Sequence, residues 1–444
     1  MTQTFEYFAI VPHPNEAQIL VMSEGGGYTL PHFEMQEARF WQVVDHVNSH
    51  LSKLLAMPVT TLRCLSTRHD AEAERTTRVY AIDGPGLGWK LPKGARWATT
   101  ADLEGLLFER QRDFAQMWFG WQARESAVEW YRPDWFGMVS QWIYDQLERL
   151  GIEGVGLVEQ MRTWERSAIL RVMTERGYVY FKALPPMFKH EPPLMVWLAH
   201  NFPEAFPKPL AVDGWRRWML LPDFGSVTLD GVAAIERWEA ALRRLAELQI
   251  ALSVKINDLI GLGCPDRRLY TLERLIDPLL ANPAAQLSGS ELKLSEGEMI
   301  ALRSRIPDYK QMCSELYRYS IPATLEHGDF WPGQVVVGDE QMVFIDWSDC
   351  SVSHPFFSMN FLTDGDLQAP DVPGVRERLR EAYLQPWVAY EPMPKLVQAF
   401  ELAQQLAPLH YALIYHRQIL PQMENAWEMN NMIPFYLRKL LPGG

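Results

Sequence analysis

The sequence predicts an α+β protein with a strand-rich first half and a mainly helical second half. Three observations lead there. Up to about residue 225, short apolar runs alternate with turns marked by Gly, Pro and Asn. Beyond residue 226 the apolar spacing becomes that of helices, and Ile235, Trp238, Leu242, Leu245 and Leu252 fall on one face. Among the helical stretches stands His327-Gly328-Asp329-Phe330-Trp331-Pro332-Gly333-Gln334, followed by the apolar run Met342 to Ile345 and then Asp346-Trp347.

With 444 residues, 48% of them hydrophobic, the chain exceeds one ordinary domain, so two or three units are expected. The formal net charge of -13 disfavours nucleic acid and anionic membrane as partners, since both are negative. No apolar stretch approaches the ~18 residues of a membrane span. Met1 to Ile10 lacks the basic region and long apolar core of a signal peptide. Cys64, Cys264, Cys313 and Cys350 show no Cys-x-x-Cys spacing. Reduced thiols in a cytoplasmic protein are therefore expected, with no zinc site and no disulfide framework.

Residues 1–120 are the first expected domain. Phe5 to Pro12 and Gln18 to Met22 read as strands around the turn Pro12-His13-Pro14-Asn15, and Glu24-Gly25-Gly26-Gly27 is a second turn. A helix is expected from about Glu37 to Leu55 and a strand at Val79 to Ile82. A further helix should start near Thr99-Thr100-Ala101-Asp102-Leu103, capped by either threonine. This order loosely resembles the Nudix fold. Catalytic Nudix helices carry paired glutamates that hold magnesium. The matching helix here reads Ala38-Arg39-Phe40-Trp41-Gln42-Val43-Val44-Asp45-His46-Val47, without such a pair, so the resemblance implies a non-catalytic domain. Gly84-Pro85-Gly86-Leu87-Gly88 lacks phosphate-loop spacing and a following helix, and reads as a turn.

Residues 121–154 are expected to be a helical connector in a region rich in Trp, with Trp118, Trp121, Trp130, Trp135 and Trp142, and a helix from Trp135 to Leu150. An aromatic stripe of this kind serves packing. Residues 155–225 combine short strands with one helix. Ser167 to Thr174 and Tyr178 to Leu184 form a hairpin around Glu175-Arg176-Gly177, a helix runs from about His190 to His200, and Trp215 to Leu221 is another strand. Residues 226–444 are the helical remainder. Helices resume after Leu367 and continue until Pro442.

The segment from His327 to Gln334 carries the chemistry. Gly328 lets the backbone turn tightly, and Pro332 with Gly333 should keep the loop out of a helix. Asp329 offers a carboxylate, the Gln334 amide follows five residues later, and Asp346 follows seventeen later. Protein kinases use this order: an Asp base, a metal-binding amide at plus five, and a metal-binding Asp after a hairpin. At these residues the chain resembles the aminoglycoside phosphotransferase family, the small-molecule relatives of protein kinases, over roughly residues 150–444. That family reads His-Gly-Asp, four residues, Asn, then Ile-Asp-Trp. Gln334 replaces the Asn, with the same amide oxygen on a stem one methylene longer. The family also carries an Asp where Ser358 follows His354-Pro355-Phe356-Phe357.

The resemblance implies a two-lobed, kinase-like fold, with residues 155–225 as small lobe and 226–444 as large lobe. It implies ATP as co-substrate and Mg2+ as cofactor. Asp329 would orient and deprotonate a hydroxyl, and Asp346 with Gln334 would hold magnesium. Lys182, ending Val179-Tyr180-Phe181-Lys182, would bind phosphate oxygens, with Glu191 as ion-pair partner. Leu221, in the hinge with Leu220 and Pro222, would lie near adenine. Trp164 to Ala168 takes the place of a glycine-rich loop. Asp223-Phe224-Gly225 spells a kinase motif but precedes Asp329, and belongs to this hinge. His327 reads as a loop holder and Asp349 as structural.

Two functions follow. The first is ATP- and magnesium-dependent phosphorylation of a hydroxyl on a small molecule, such as an aminoglycoside, amino alcohol or sugar. The alternative, motivated by Gln334, by the degenerate Nudix-like domain and by Ser358, is a non-catalytic nucleotide or ligand sensor. Neither the acceptor, the preference for ATP over GTP, nor the oligomeric state has a signature in the sequence.

Overall fold

The computed structural model describes residues 3–86, 88–105, 109–122, 126–281, 293–338, 341–363, 365 and 367–442. By its internal contacts the chain divides into two compact units. One is Met1–Pro185 with Leu210–Asp223, the other Pro186–Pro209 with Phe224–Gly444. Leu87, in the glycine-rich stretch, lies outside the described residues.

The first unit begins with strands β1 (Thr4–Ile10), β2 (Ile19–Glu24), β3 (Gly27–Thr29) and β4 (His32–Met35) and helix α1 (Asp45–Leu55). Strands β5 (Thr61–Asp70), β6 (Arg75–Ile82) and β7 (Ala95–Ala98) and helices α2 (Glu109–Gln122) and α3 (Trp135–Arg149) follow. Next come β8 (Glu159–Trp164), β9 (Ser167–Thr174), β10 (Gly177–Ala183), β11 (Ala211–Asp213) and β12 (Trp218–Pro222). A four-stranded sheet has the order β4-β1-β6-β5 and a three-stranded one the order β3-β2-β7. Within the former, β1 and β6 run parallel. The antiparallel five-stranded sheet has the order β11-β12-β10-β9-β8.

Period-two alternation sets the faces of that five-stranded sheet. Ala168, Leu170 and Val172 of β9, Val179, Phe181 and Ala183 of β10, and Trp218 and Leu220 of β12 share one core. Against them packs α3, whose Trp135, Val139, Ile143 and Leu147 recur every four residues. The helix expected to be a connector thus supplies one wall of the sheet's core. Trp142 adds edge-on contacts to Phe181 at 5.7 Å and Trp218 at 5.5 Å.

The chain expected as a separate N-terminal domain is stitched to the edge of this sheet. Val44 N–H donates to Met161 O at 3.0 Å, and Thr163 N–H donates to Gln42 O at 2.9 Å. The Gln160 amide accepts from Thr61 N–H at 2.9 Å and donates to Thr61 O at 2.7 Å. These bonds cap an edge strand that would otherwise expose unpaired backbone groups. They also explain why α1 starts at Asp45 rather than near Glu37, because the backbone at Gln42 and Val44 is committed to β8. Strand β5 went unrecognised in the sequence. Its Arg63, Ser66, Thr67, Arg68 and His69 dilute the apolar signal, and pairing with β6 makes it a strand.

The second unit is mostly helical. It contains α4 (Glu191–Asn201), α5 (Ile235–Ser253), α6 (Ile256–Gly261), α7 (Leu269–Ala281), α8 (Glu296–Ser304) and α9 (Ile306–Leu316). Two small hairpin-like pairs follow: β13 (Thr324–Glu326) with β16 (Ser351–Ser353), and β14 (Val335–Val337) with β15 (Met342–Phe344). Helices α10 (Val375–Leu384), α11 (Met393–Ile414) and α12 (Met432–Arg438) complete it. The stripe expected on α5 is buried throughout. No helix among the described residues is long and apolar enough to cross a membrane. All four cysteines are buried, and none forms a disulfide.

Candidate active site

The His327–Gln334 loop leaves β13 and enters β14, and β15 returns to Asp346. Asp329 is exposed, while the flanking His327 and Phe330 are buried at 0% and 5%. A carboxylate is thus presented to solvent from a loop anchored on both sides. Pro332 to Gln334 forms a single 3₁₀ turn, correcting the expectation that Pro332 and Gly333 exclude helix. Pro332 fits because its fixed φ suits the first helical position.

Gly328 has φ +81°, and a Cβ there would fall 2.1 Å from the Asp349 carbonyl oxygen. No other residue fits. The close approach brings the start of the loop against the segment that follows Asp346. His327 makes a second tie: its Nε2 lies 3.0 Å from Ile345 O, and its ring sits 4.5 Å from that of Trp347. Burial lowers the His327 pKa, so the ring is neutral and acts as a hydrogen-bonding strut.

The hairpin register brings Gln334 alongside this segment. Val335 pairs with Phe344, and Ile345 N–H donates to Gln334 O at 3.0 Å. Gln334 is 8% exposed, and Asp346 is half-buried. Asp346 has φ +60°, a left-handed conformation that Asp tolerates better than most residues, and Ser348 Oγ donates to its Oδ1 at 2.9 Å. An aspartate carboxylate and an amide oxygen are hard donors that fit magnesium, which keeps several positions for water and phosphate. Among the described residues no group of three His, Cys, Asp or Glu forms a metal cage. A metal here would need phosphate oxygens as well.

Sequence reasoning missed the group beneath the loop. Glu326 is completely buried. Its Oε1 accepts from Gly328 N–H at 2.9 Å and from Ser358 Oγ at 3.1 Å, and its Oε2 lies 3.1 Å from His410 Nε2. Ser358 Oγ also accepts from His327 N–H at 3.3 Å. Burial pushes the Glu326 carboxyl up, but the His410 and Gly328 hydrogen bonds outweigh it and hold it below its usual range. Burial lowers the His410 pKa despite the Glu326 contact. The arrangement is therefore a carboxylate accepting from a neutral imidazole N–H. Ser358 stands where the resembled family has Asp, and here Glu326 supplies the negative charge. The signal lay in the sequence at Glu326-His327-Gly328-Asp329, but nothing local shows that Glu326 turns inward.

The remaining candidates divide between the units. Lys182 lies on β10 in the first unit, 8% exposed, paired with Ile169 and Met219. Alternation puts it on the sheet face opposite Phe181 and the α3 core. Leu221, paired with Tyr180, shares the Lys182 face. Glu191 opens α4 in the second unit and is 2% exposed. It is close enough to Cys350 for its charge to help burial and Cys264 push that thiol up. Asp349 is buried, and its carbonyl accepts from Arg267 Nη1 at 3.0 Å.

A model of the phosphotransferase enzyme family matches residues 160–396. The chain belongs to that family. This phosphotransferase family member also resembles solved structures. A macrolide 2'-phosphotransferase from Brachybacterium faecium is 17% identical, with 69% of this chain and 98% of that chain covered and a TM-score of 0.45. A Plasmodium vivax ethanolamine kinase is 13% identical, with 67% and 84% covered and a TM-score of 0.48. A choline kinase from Cryptosporidium parvum is 14% identical, with 64% and 88% covered and a TM-score of 0.44. No curated protein matches the chain. The family match begins at β8 and leaves the N-terminal strands outside it.

Proposed function

We propose that this phosphotransferase family member transfers the γ-phosphoryl group of ATP to a hydroxyl of a small molecule. The observation that carries the reading is the exposed Asp329 on a buried-anchored loop, tied by Gly328 and His327 to the segment bearing Asp346. Asp329 accepts the hydroxyl proton as the oxygen attacks phosphorus. Asp346 and Gln334 hold magnesium, whose charge neutralises the phosphates. Lys182, with Glu191 as its partner, binds phosphate oxygens, and Leu221 contacts adenine. Residues 155–225 act as small lobe and 226–444 as large lobe. The N-terminal strands are read as a non-catalytic, Nudix-like domain, on the absence of paired glutamates between Ala38 and Val47.

The sensor reading is the rival, and Ser358 no longer favours it, because Glu326 provides the loop-holding carboxylate. A panel of aminoglycosides, amino alcohols and sugars, assayed for phosphate transfer with ATP and magnesium, separates the two. The expected result is transfer to at least one hydroxyl class. Asp329→Asn should lower that rate by about 10² to 10⁴, the usual contribution of a positioned base, with ATP binding retained. Absence of both transfer and slow ATP hydrolysis, in folded protein that binds ATP, would favour the sensor. Gln334→Asn should retain or raise turnover in the enzyme, since the amide oxygen remains.

A further inference from the structure

Two of the buried cysteines meet beside the segment that carries Asp346. The extended stretch after α6 pairs in parallel with β16. Val352 N–H donates to Pro265 O at 2.9 Å, and Arg267 N–H donates to Val352 O at 2.9 Å. That register sets Asp266 beside Val352. Two residues back along each chain stand Cys264 and Cys350. In a parallel pair, residues two positions before facing partners also face each other, with their side chains on the same side. Adjacent strands lie about 4.8 Å apart, inside the range of about 4.4–6.8 Å that a disulfide spans between Cα atoms. The side chains meet accordingly, and the Cys264 and Cys350 thiols are hydrogen-bonded. Cys64, on β5, and Cys313, on α9, stand outside this pairing.

The pair sits on the frame that seats the Asp329 loop. Cys350 follows Asp349, whose carbonyl oxygen a Cβ at Gly328 would strike at 2.1 Å. Arg267, three residues after Cys264, donates to that same oxygen at 3.0 Å. A disulfide holds its sulfurs at about 2.05 Å, far inside non-bonded contact, so closing one draws the two backbones together and moves Asp349. The two thiols also differ in access. Cys264 is 4% exposed and Cys350 0%. Cys264 follows Gly263, whose φ is +93°, in a turn outside any helix or strand. Such turns open locally at less cost than core elements. An oxidant therefore reaches Cys264 first, and Cys350 is placed as the resolving thiol. Burial, together with the Cys264 contact, pushes the Cys350 thiol up. With little thiolate present, the pair answers sustained rather than brief oxidation.

We propose that Cys264 and Cys350 form a reversible disulfide that acts as a redox switch on the Asp329 loop, with a peroxide as oxidant. The Cys264 sulfur attacks one peroxide oxygen, the O–O bond breaks, and water leaves a sulfenic acid behind. The Cys350 sulfur then displaces a second water from that sulfenic acid. Two S–H bonds and the O–O bond are lost and one S–S bond forms. The two electrons and two protons of the thiols turn hydrogen peroxide into two waters. An external dithiol reverses the step and is itself oxidised to a disulfide. The effect on catalysis rests on the phosphotransferase reading. With Asp349 displaced, Asp329 loses its alignment with Asp346, and transfer falls about tenfold or more, since a shift of about 1 Å costs on the order of 10²-fold.

Peptide mass spectrometry on the full chain tests the link. The protein is exposed to hydrogen peroxide, its remaining thiols are alkylated in denaturant, and it is digested. A Cys264–Cys350 peptide pair is expected, two hydrogens lighter than its parts and released by dithiothreitol. Alkylation of both thiols after exposure that oxidises the methionines would overturn the pairing. So would sulfinic or sulfonic acid in place of the link, or disulfides to Cys64 or Cys313 instead. Hydrogen exchange reads the coupling. Residues 326–330 should exchange about threefold faster or more in the oxidised chain, and Cys264→Ala should show no such change. Unaltered exchange with the link formed would overturn the coupling. Phosphate transfer should fall about tenfold on oxidation, recover with dithiothreitol and resist peroxide in Cys264→Ala. An equal loss in Cys264→Ala would overturn the switch. The link and the exchange are read without any transfer, so failure of the switch and failure of the phosphotransferase reading are separable.

Discussion

Replacing Gly328 with alanine should disable the loop while leaving most of the protein intact. The added Cβ would lie 2.1 Å from Asp349 O and 2.5 Å from Asp349 C. Both are backbone atoms, so no side chain can swing away. Reaching ordinary contact requires the two segments to part by about 1 Å or more. The left-handed φ of +81° adds roughly 1–2 kcal/mol for any L residue with a side chain. Asp349 follows Asp346 by three residues, so the separation moves Asp329 relative to the proposed metal ligand. A misplacement of about 1 Å costs on the order of 10²-fold in rate, or about 2.7 kcal/mol of activation free energy. The assay is ATP-dependent transfer to whichever hydroxyl the panel reveals, with ATP affinity measured by calorimetry. Transfer should fall about 10²-fold or more, and ATP affinity should change little. Gly333→Ala is the comparison, because the three atoms nearest its Cβ would all belong to the Trp331 ring, a side chain that is 45% exposed rather than buried backbone. Turnover of Gly328→Ala within threefold of wild type, with an unchanged Tm, would refute the reasoning.

Three further outcomes are expected. Asp346→Ala should remove the magnesium dependence of ATP binding, and calorimetry with and without magnesium would contradict the assignment if that dependence persisted. Glu326→Gln should destabilise the fold by about 2–3 kcal/mol, since a buried carboxylate accepting from Gly328 and Ser358 loses its charge-assisted bonds; an unaltered denaturant midpoint would show that the charge is dispensable. Stability should fall on acidification below pH 6.5. Burial depresses the pKa of His327 and His410 and brings that of His354 to about 3, so the unfolded chain takes up protons near 6.5 that the folded chain refuses. Each such group withdraws up to about 1.4 kcal/mol between pH 7.5 and 5.5. Glu326, held below its usual range, acts with the same sign at lower pH. Denaturant unfolding at pH 7.5 and 5.5 checks this, and equal stability would contradict the buried-neutral assignment.

The sequence alone determined the mixed α+β class of fold and singled out the His327–Gln334 segment as the candidate site. Alternation in β9 and β10 and the stripe on α5 are local patterns, and each apolar residue must find a buried face. Gly328 was equally legible, because a tight turn beside a chemical group calls for the residue without a side chain. What only tertiary structure decided are the partners. Glu326 is a surface-type residue by every local rule, and only closure of α11 onto the loop brings His410 within 3.1 Å of it. The start of α1 was misplaced for a similar reason, since the amide of Val44 is taken by Met161, far along the chain. The role of α3 likewise required the sheet it packs on. Periodicity records which face of an element is buried, whereas a polar residue's meaning depends on groups distant in sequence, and folding alone brings those together.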